Sequence, residues 1–125
     1  HPSNDAHTLK LGKMGEQFGM AVAYHGHEQQ TFDFWDTALA QSPKNALNLD
    51  MGHYIAAGHK DLLQLIEKQQ KNILSMHTKD RQRPENGKGN VVWGSGDTPI
   101  GDVLKLMQKN KAPIIIKVLE QFNNN

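Results

Sequence analysis

The sequence contains no cysteine. Disulfide bridges, zinc knuckles and thiol nucleophiles are therefore excluded. A chain without cysteine is compatible with either the cytoplasm or the periplasm, so the compartment stays unknown at this point.

The sequence also has no large excess of charge of either sign. The 14 basic and 13 acidic residues give a formal net charge of +1, which provides no general attraction to nucleic acid or to an anionic membrane. Every apolar run is far shorter than the roughly 18 residues of a membrane-spanning helix, and no signal peptide is recognisable. We therefore expect a soluble protein whose partners include neither nucleic acid nor membrane.

Helix-like and strand-like segments alternate along the 125 residues, which we expect to form a single domain, 1–125, with a buried core. Apolar spacing and end signals predict helices over residues 6–18, 31–42, 60–70 and 98–110. Short apolar runs predict strands within residues 20–28, 45–50, 72–80 and 112–122. The segment 81–97 is rich in Gly, Asn and Pro and is expected to be a long loop.

Several residues define the predicted helices more closely. The apolar stripe of the first helix is expected to belong to the core and consists of Leu9, Leu11, Met14 and Phe18. Gly19 is expected to end that helix. Thr31 and Thr98 are expected to cap the starts of two later helices, the second with Pro99 at its first position.

Strands that alternate with helices predict right-handed βαβ units and a parallel sheet, preceded here by one helix. The nearly continuous apolar strands indicate that both faces of the sheet are covered. In such sheets ligands bind at the carboxyl ends of the strands.

Three of the predicted strands end in polar residues, in the segments "YHGHE", "LDMGH" and "MHTKD". His25, Asp50 and His77 occupy these ends, and neighbouring strand ends lie about 4.8 Å apart. A single residue of this kind is more often an ordinary polar group or a helix cap. Three in succession predict a site for one divalent ion, and these ligand types suit manganese, zinc, cobalt or iron.

Other residues are candidates for lesser roles. Alternation along the strand places His27 on the same face as His25. Trp93 lies in a loop at the functional edge of the sheet, where it is either part of an ordinary turn or a surface on which a sugar stacks. The remaining histidines are expected to be solvated surface residues, namely His1, His7 and His59.

Four segments together resemble the sugar phosphate isomerase/epimerase family, whose members are metal-dependent, xylose isomerase-like TIM barrels. They are "AYHGHEQQTF", "LNLDMGHYIAAG", "ILSMHTKDR" and "VVWGSGDTPIGDVLKLM", and the match extends over about residues 15–106. Any one of these motifs alone is weak, but their combination is specific.

The resemblance implies one divalent cation held by four successive strands of the barrel's second half, usually through Glu or His, then Asp, His and Glu. The first three positions match His25, Asp50 and His77. His53 matches a substrate-side histidine. The residues assigned to substrate binding are His27, His53, Arg81 and Trp93. Lys79, which lies with Asp80 and Arg81 in the polar cluster after His77, and Glu120 are assigned to proton transfer.

This chain departs from the family pattern on its last strand, "IIIKVLEQF". The simplest register places Lys117 where the family has a glutamate ligand, and an ammonium group is no metal ligand. Glu120 serves instead only if the end of the strand bends or slips.

The chain is also too short for a complete barrel, which needs eight strands and about 250 residues. It corresponds to the carboxyl-terminal half, a (βα)4 half-barrel whose open edges and inner face require a partner. The alternatives are a homodimer, association with a missing N-terminal half-barrel, or rearrangement into an open three-layer sandwich. We expect a homodimer or a higher assembly.

Three functions follow. The first is a metal-dependent isomerase or epimerase that transfers a proton next to the carbonyl of a sugar or keto-sugar, or a related keto-sugar lyase or hydratase. The second is a non-catalytic half-barrel, an assembly unit with a vestigial metal site. The third is a metal-dependent endonuclease, against which the near-neutral charge argues.

Overall fold

The computed structural model describes residues 4–111 and the backbone of Ile116–Leu119. The helices are α1 (Asp5–Phe18), α2 (Asp36–Gln41), α3 (Met51–Ala56), α4 (Leu62–Gln69) and α5 (Ile100–Asn110). The strands are β1 (Val22–His25), β2 (Asn45–Asp50), β3 (Ile73–Thr78), β4 (Asp80–Arg81), β5 (Asn90–Val91) and β6 (Ile116–Leu119). None of the helices described is long and apolar enough to cross a membrane.

Four of these strands form one parallel sheet in the order β1-β2-β3-β6. The spatial order equals the chain order, as expected for successive βα units. Over the described residues β1 and β6 are edges and do not pair with each other, so the sheet is open. The predicted fold class, a parallel half-barrel with flanking helices, is confirmed.

The core lies between this sheet and its helices. Strand alternation directs Leu47 and Leu49 of β2 to the helix side, where both are fully buried. Trp35 is also fully buried, and its indole N–H donates to the Tyr24 carbonyl oxygen at 3.2 Å. The opposite face of the sheet carries the even-numbered residues of β2, which include Asn48 and Asp50 and form the floor of the site described below.

Helix α1 packs with a different face from the one we predicted. Its buried residues are Thr8, Gly12 and Gly15, whereas the predicted apolar stripe is exposed at Leu9, Leu11, Met14 and Phe18. A side chain at Gly12 would collide with Ser42 on the adjacent connection. Close approach through small residues therefore selects the buried face, which apolar periodicity alone does not reveal. The predicted end of the helix at Gly19 is confirmed by its left-handed backbone, with φ of 66°.

Two predicted helix caps are wrong. The Thr31 hydroxyl bonds the Asp33 carboxylate at 2.8 Å, and turns precede α2, which begins only at Asp36. Thr98 does not cap α5; its hydroxyl instead accepts the Arg81 backbone N–H at 3.1 Å. Both residues use their hydroxyls in the loops before the helices.

Two regions contain secondary structure that our prediction lacks. The segment after Asp50, for which we predicted no helix, forms the short helix α3. The long loop contains the antiparallel pair β4–β5 and a 3₁₀ turn over Pro84–Asn86. Both additions lie beside the carboxyl ends of the strands and position side chains there.

Candidate metal centre

The centre forms around Asp50 at the end of β2. Its carboxylate is completely buried. Oδ2 lies 3.8 Å from His25 Nε2 and 4.0 Å from His77 Nδ1. Backbone pairing explains this convergence, because Asp50 pairs with His77 and His25 pairs with Asn48 two residues earlier. The structure thus brings together the three predicted metal ligands.

The donor set of these three residues fits a divalent ion. Asp50 Oδ1 accepts the His53 backbone N–H at 2.9 Å and so caps α3. Among the described residues the buried Oδ2 has no hydrogen bond of good geometry, and its close partner is the Lys79 ammonium, at 2.8 Å. One donor atom each from His25, Asp50 and His77 lies within 4.8 Å of the others, a spacing compatible with ligand bonds of about 2.0–2.2 Å to a shared ion.

A hydrogen-bond chain orients the imidazole of His25. Its Nδ1 lies 2.7 Å from Asn48 Oδ1, and the Asn48 amide nitrogen donates to the Ser75 hydroxyl. We therefore assign the proton of His25 to Nδ1, which turns the lone pair of Nε2 toward Asp50. Our sequence analysis missed Asn48 and Ser75. The alternation of β2 was the available signal, since Asn48 shares a face with Asp50.

His53 lies beside the three ligands on α3. Its Nε2 is 3.6 Å from Asp50 Oδ2 and 3.0 Å from Lys79 Nζ, and its Nδ1 is 2.8 Å from an Arg81 nitrogen. Burial lowers the pKa of His53 to about 4; the positive charges nearby act in the same direction, and Asp50 opposes them. The imidazole is therefore neutral at pH 7.

Lys79 is buried next to Asp50, with 7% of its side chain exposed and Nζ 2.8 Å from Oδ2. Gly52 leaves the space for it, because a Cβ on Gly52 would lie 2.5 Å from Lys79 Cγ. This contact explains the glycine of "DMGH". The carboxylate and the ammonium neutralise each other in a place where either charge alone would be costly.

Arg81 forms the far wall of the centre, with 9% of its side chain exposed. Its Nε and one terminal nitrogen donate to the Lys88 carbonyl oxygen at 3.2 and 2.7 Å. Glu28 Oε2 lies 3.7 Å from the guanidinium, and Glu28 Oε1 pairs with Lys88 Nζ at 2.9 Å. The hydrogen bond from Lys88 lowers the pKa of Glu28, which is ionised at neutral pH.

Asp80 organises the loop that follows β5. Its buried carboxylate accepts the backbone N–H groups of Gly94, Gly96 and Thr98 at 2.9 to 3.1 Å. Trp93, which precedes the first of these glycines, is half-buried. The role of Trp93 in substrate binding stays a prediction.

The other histidines differ in their surroundings. His27 is exposed, and its ring centre lies 5.0 Å from that of His25 and 4.6 Å from that of His53. His7 is exposed, as predicted. His59 is not a solvated surface residue, because it is half-buried, stacks on Tyr54 and bonds the Gln30 carbonyl oxygen at 2.7 Å. His1 lies outside the described residues.

The last strand has a different register from the one we predicted. Lys117 pairs with Met76, and Val118 is the residue beside His77. The backbone thus places Val118, rather than Lys117, in line with the ligands Asp50 and His77. Glu120 lies outside the described residues.

No family model and no curated protein matches the chain, but its fold resembles solved structures. A xylose isomerase domain protein from Planctomyces limnophilus aligns with a TM-score of 0.77 and 20% identity over 94% of this chain and 44% of that one. A probable 3-DHS dehydratase from Bacillus anthracis aligns with a TM-score of 0.74 and 18% identity over 97% of this chain and 50% of that one. A sugar phosphate isomerase/epimerase from Parabacteroides distasonis aligns with a TM-score of 0.70 and 14% identity over 97% of this chain and 44% of that one.

This chain therefore spans about half the length of the structures it resembles. The likeness confirms, at the level of fold, the resemblance to xylose isomerase-like TIM barrels.

Proposed function

We propose that this chain carries the metal-binding part of a sugar isomerase or epimerase-like site. His25, Asp50 and His77 would hold one divalent ion, with manganese, zinc, cobalt or iron as the candidates. The observation that carries the proposal is the buried Oδ2 of Asp50, which lies between two imidazole nitrogens and has Lys79 Nζ as its ion-pair partner. The resemblance in fold to sugar-processing enzymes supports the substrate class, a sugar or keto-sugar.

The proposed reaction is proton transfer next to the sugar carbonyl, or the related loss or addition of water in a keto-sugar. A bound divalent ion supplies polarisation of the carbonyl and hydroxyl oxygens of the substrate. Neutral His53 is suited to hydrogen bonding with a substrate hydroxyl. Lys79 lies within reach of the same region and is proposed, together with Glu120, to move the proton.

The second candidate is a non-catalytic half-barrel that keeps part of the site. The observation that favours it is the position of Val118 beside His77, where a carboxylate ligand would complete the set. Turnover of keto-sugars with added manganese by the assembled protein supports the first candidate. Stoichiometric metal binding without turnover supports the second.

Metal affinity tests the centre itself. We expect calorimetry to show manganese binding by the unaltered chain and its loss in Asp50→Ala, because this change removes the only carboxylate among the three ligands. His53→Ala is the matched comparison, since His53 is assigned to the substrate side, and it should cost less affinity. Equal manganese affinity in the unaltered chain and in Asp50→Ala would show that the cluster is structural only.

A further inference from the structure

We propose that Arg81 and Lys88 form an anion-binding subsite that takes the carboxylate or phosphate group of an acidic sugar, and that Glu28 occupies this subsite until substrate binds. The inference rests on the proposed function, because it names the substrate class for the same site. Three observations carry it: the bonding of Arg81, the exposure of Glu28 and the distance to the metal centre.

The guanidinium of Arg81 is buried without a carboxylate in hydrogen-bond contact. Of its five N–H groups, two bond the Lys88 carbonyl oxygen and one faces His53 Nδ1. In the described part of the chain its nearest carboxylate oxygen is Glu28 Oε2, at 3.7 Å. Two of its N–H groups therefore have no partner among the described residues, and a buried cation is costly unless it is paired.

Glu28 already shows that a carboxylate fits there. It lies between Lys88 Nζ, at 2.9 Å, and Arg81, at 3.7 Å. The side chains of Glu28 and Lys88 are 42% and 49% exposed, so their pairing contributes little to stability. An anionic group of a ligand can therefore displace Glu28 at low cost and bond both cations in its place.

The subsite lies one imidazole away from the metal centre. Arg81 touches one nitrogen of His53, and the other nitrogen of the same ring faces Asp50 Oδ2 at 3.6 Å. A sugar whose carbonyl end lies at Asp50 can thus extend its acidic end past His53 to Arg81. The basic side chains at the far end of this path, Arg81 and Lys88, favour an acidic sugar over a neutral one.

The test uses metal-free protein, so that anions cannot bind through an ion. Inorganic phosphate and glucuronate are titrated separately and followed by the backbone amide signals of Glu28 and Lys88, with neutral glucose as a control. We expect Glu28→Gln to tighten anion binding about two- to fivefold, because the competing carboxylate is gone. Lys88→Gln should weaken binding by a similar factor.

Lys105→Gln is the matched control, since it removes the same charge from an exposed position on α5 and should change nothing. Saturation by phosphate alone, by glucuronate alone or by both supports the subsite and identifies the source of the anion. Unchanged or weaker binding in Glu28→Gln, or unchanged binding in Lys88→Gln, overturns it. Manganese affinity is measured on the same samples, so a failure of the metal centre is distinguishable from a failure of this subsite.

Discussion

Among the single residues of the centre, Asn48 has the clearest orienting role. It holds Nδ1 of His25 at 2.7 Å and is itself held by Ser75. We expect Asn48→Ala to lower manganese affinity about 10- to 100-fold, the usual cost of losing a partner that orients a metal ligand. Calorimetry measures this loss.

The control for this prediction is Asn48→Asp, which keeps the acceptor for His25. It should retain most of the affinity, and the nitrogen-15 shifts of His25 in the metal-free protein should show the Nδ1–H form in this variant and in the unaltered protein but not in Asn48→Ala. Equal affinities in all three proteins would mean that Asn48 is not an orienting residue.

His53 makes the stability of the metal-free protein depend on pH. Its pKa is about 4 in the folded protein, against 6.5 as the ordinary value. Between these pH values the unfolded chain binds more protons than the folded protein, so the free energy of unfolding rises with pH. The contribution of His53 to stability is therefore lost as the pH falls from 6.5 to 4.

We expect His53→Gln to reduce this slope, as measured by urea unfolding at several pH values in that window. His7→Gln alters an exposed histidine and should leave the slope unchanged. The same slope in the His53 variant and the unaltered protein would contradict the assignment of this pH dependence to His53.

At the scale of elements, the loop before α5 depends on one carboxylate. Asp80 accepts three backbone N–H groups, and Asn at this position would replace one acceptor oxygen with a donor. We expect Asp80→Asn to cost about 1–3 kcal/mol for each buried N–H left unpaired and to speed amide exchange at Gly94 and Gly96. Asp102→Asn, on the exposed face of α5, should do neither.

The register of β6 gives a second prediction at this scale. Position 118 lies beside His77 and position 117 beside Met76. We therefore expect Val118→Glu to raise manganese affinity, because the backbone of position 118 is in line with Asp50 and His77. Lys117→Glu introduces the same carboxylate one position earlier, and its manganese affinity is the comparison. A larger gain from the Lys117 variant would show that the functional register differs from the one described.

Sequence reasoning succeeded where a pattern repeats and failed where a single contact decides. Strand β2 was recognisable from its apolar alternation, and the succession of His25, Asp50 and His77 at strand ends predicted that these three side chains converge; their binding of a metal stays a prediction. Helix α3 was missed because Gly52 weakens its local preference, although Asp50, which caps the helix by accepting the His53 backbone N–H, was an available local signal. Pairs of two residues, as in β4–β5, are too short to show any periodicity.

The molecule as a whole exposes apolar side chains and open strand edges. Phe18, on α1, is 65% exposed, and Leu9, Leu11 and Met14 lie exposed on the same helix. The open sheet adds two strand edges in the described part of the chain. We propose that a second copy or a separate N-terminal half-barrel covers them.

Light scattering at several concentrations tests this proposal. We expect a dimer or a higher assembly, and Phe18→Ser should weaken it without lowering the helix content, because Phe18 contributes little to the core of its own chain. Thr37→Ser, an exposed change on α2, is the control. A monomer at high concentration that binds no hydrophobic dye would contradict the expectation.

The order of strands also bears on how the chain is made. Each strand of the main sheet after β1 pairs with the strand that precedes it along the chain, so its partner has already been synthesised. Pairing can then proceed from the amino terminus, one βα unit at a time. The centre is completed late in this sequence, because His77 is synthesised 52 residues after His25, and metal uptake must therefore follow the docking of β3.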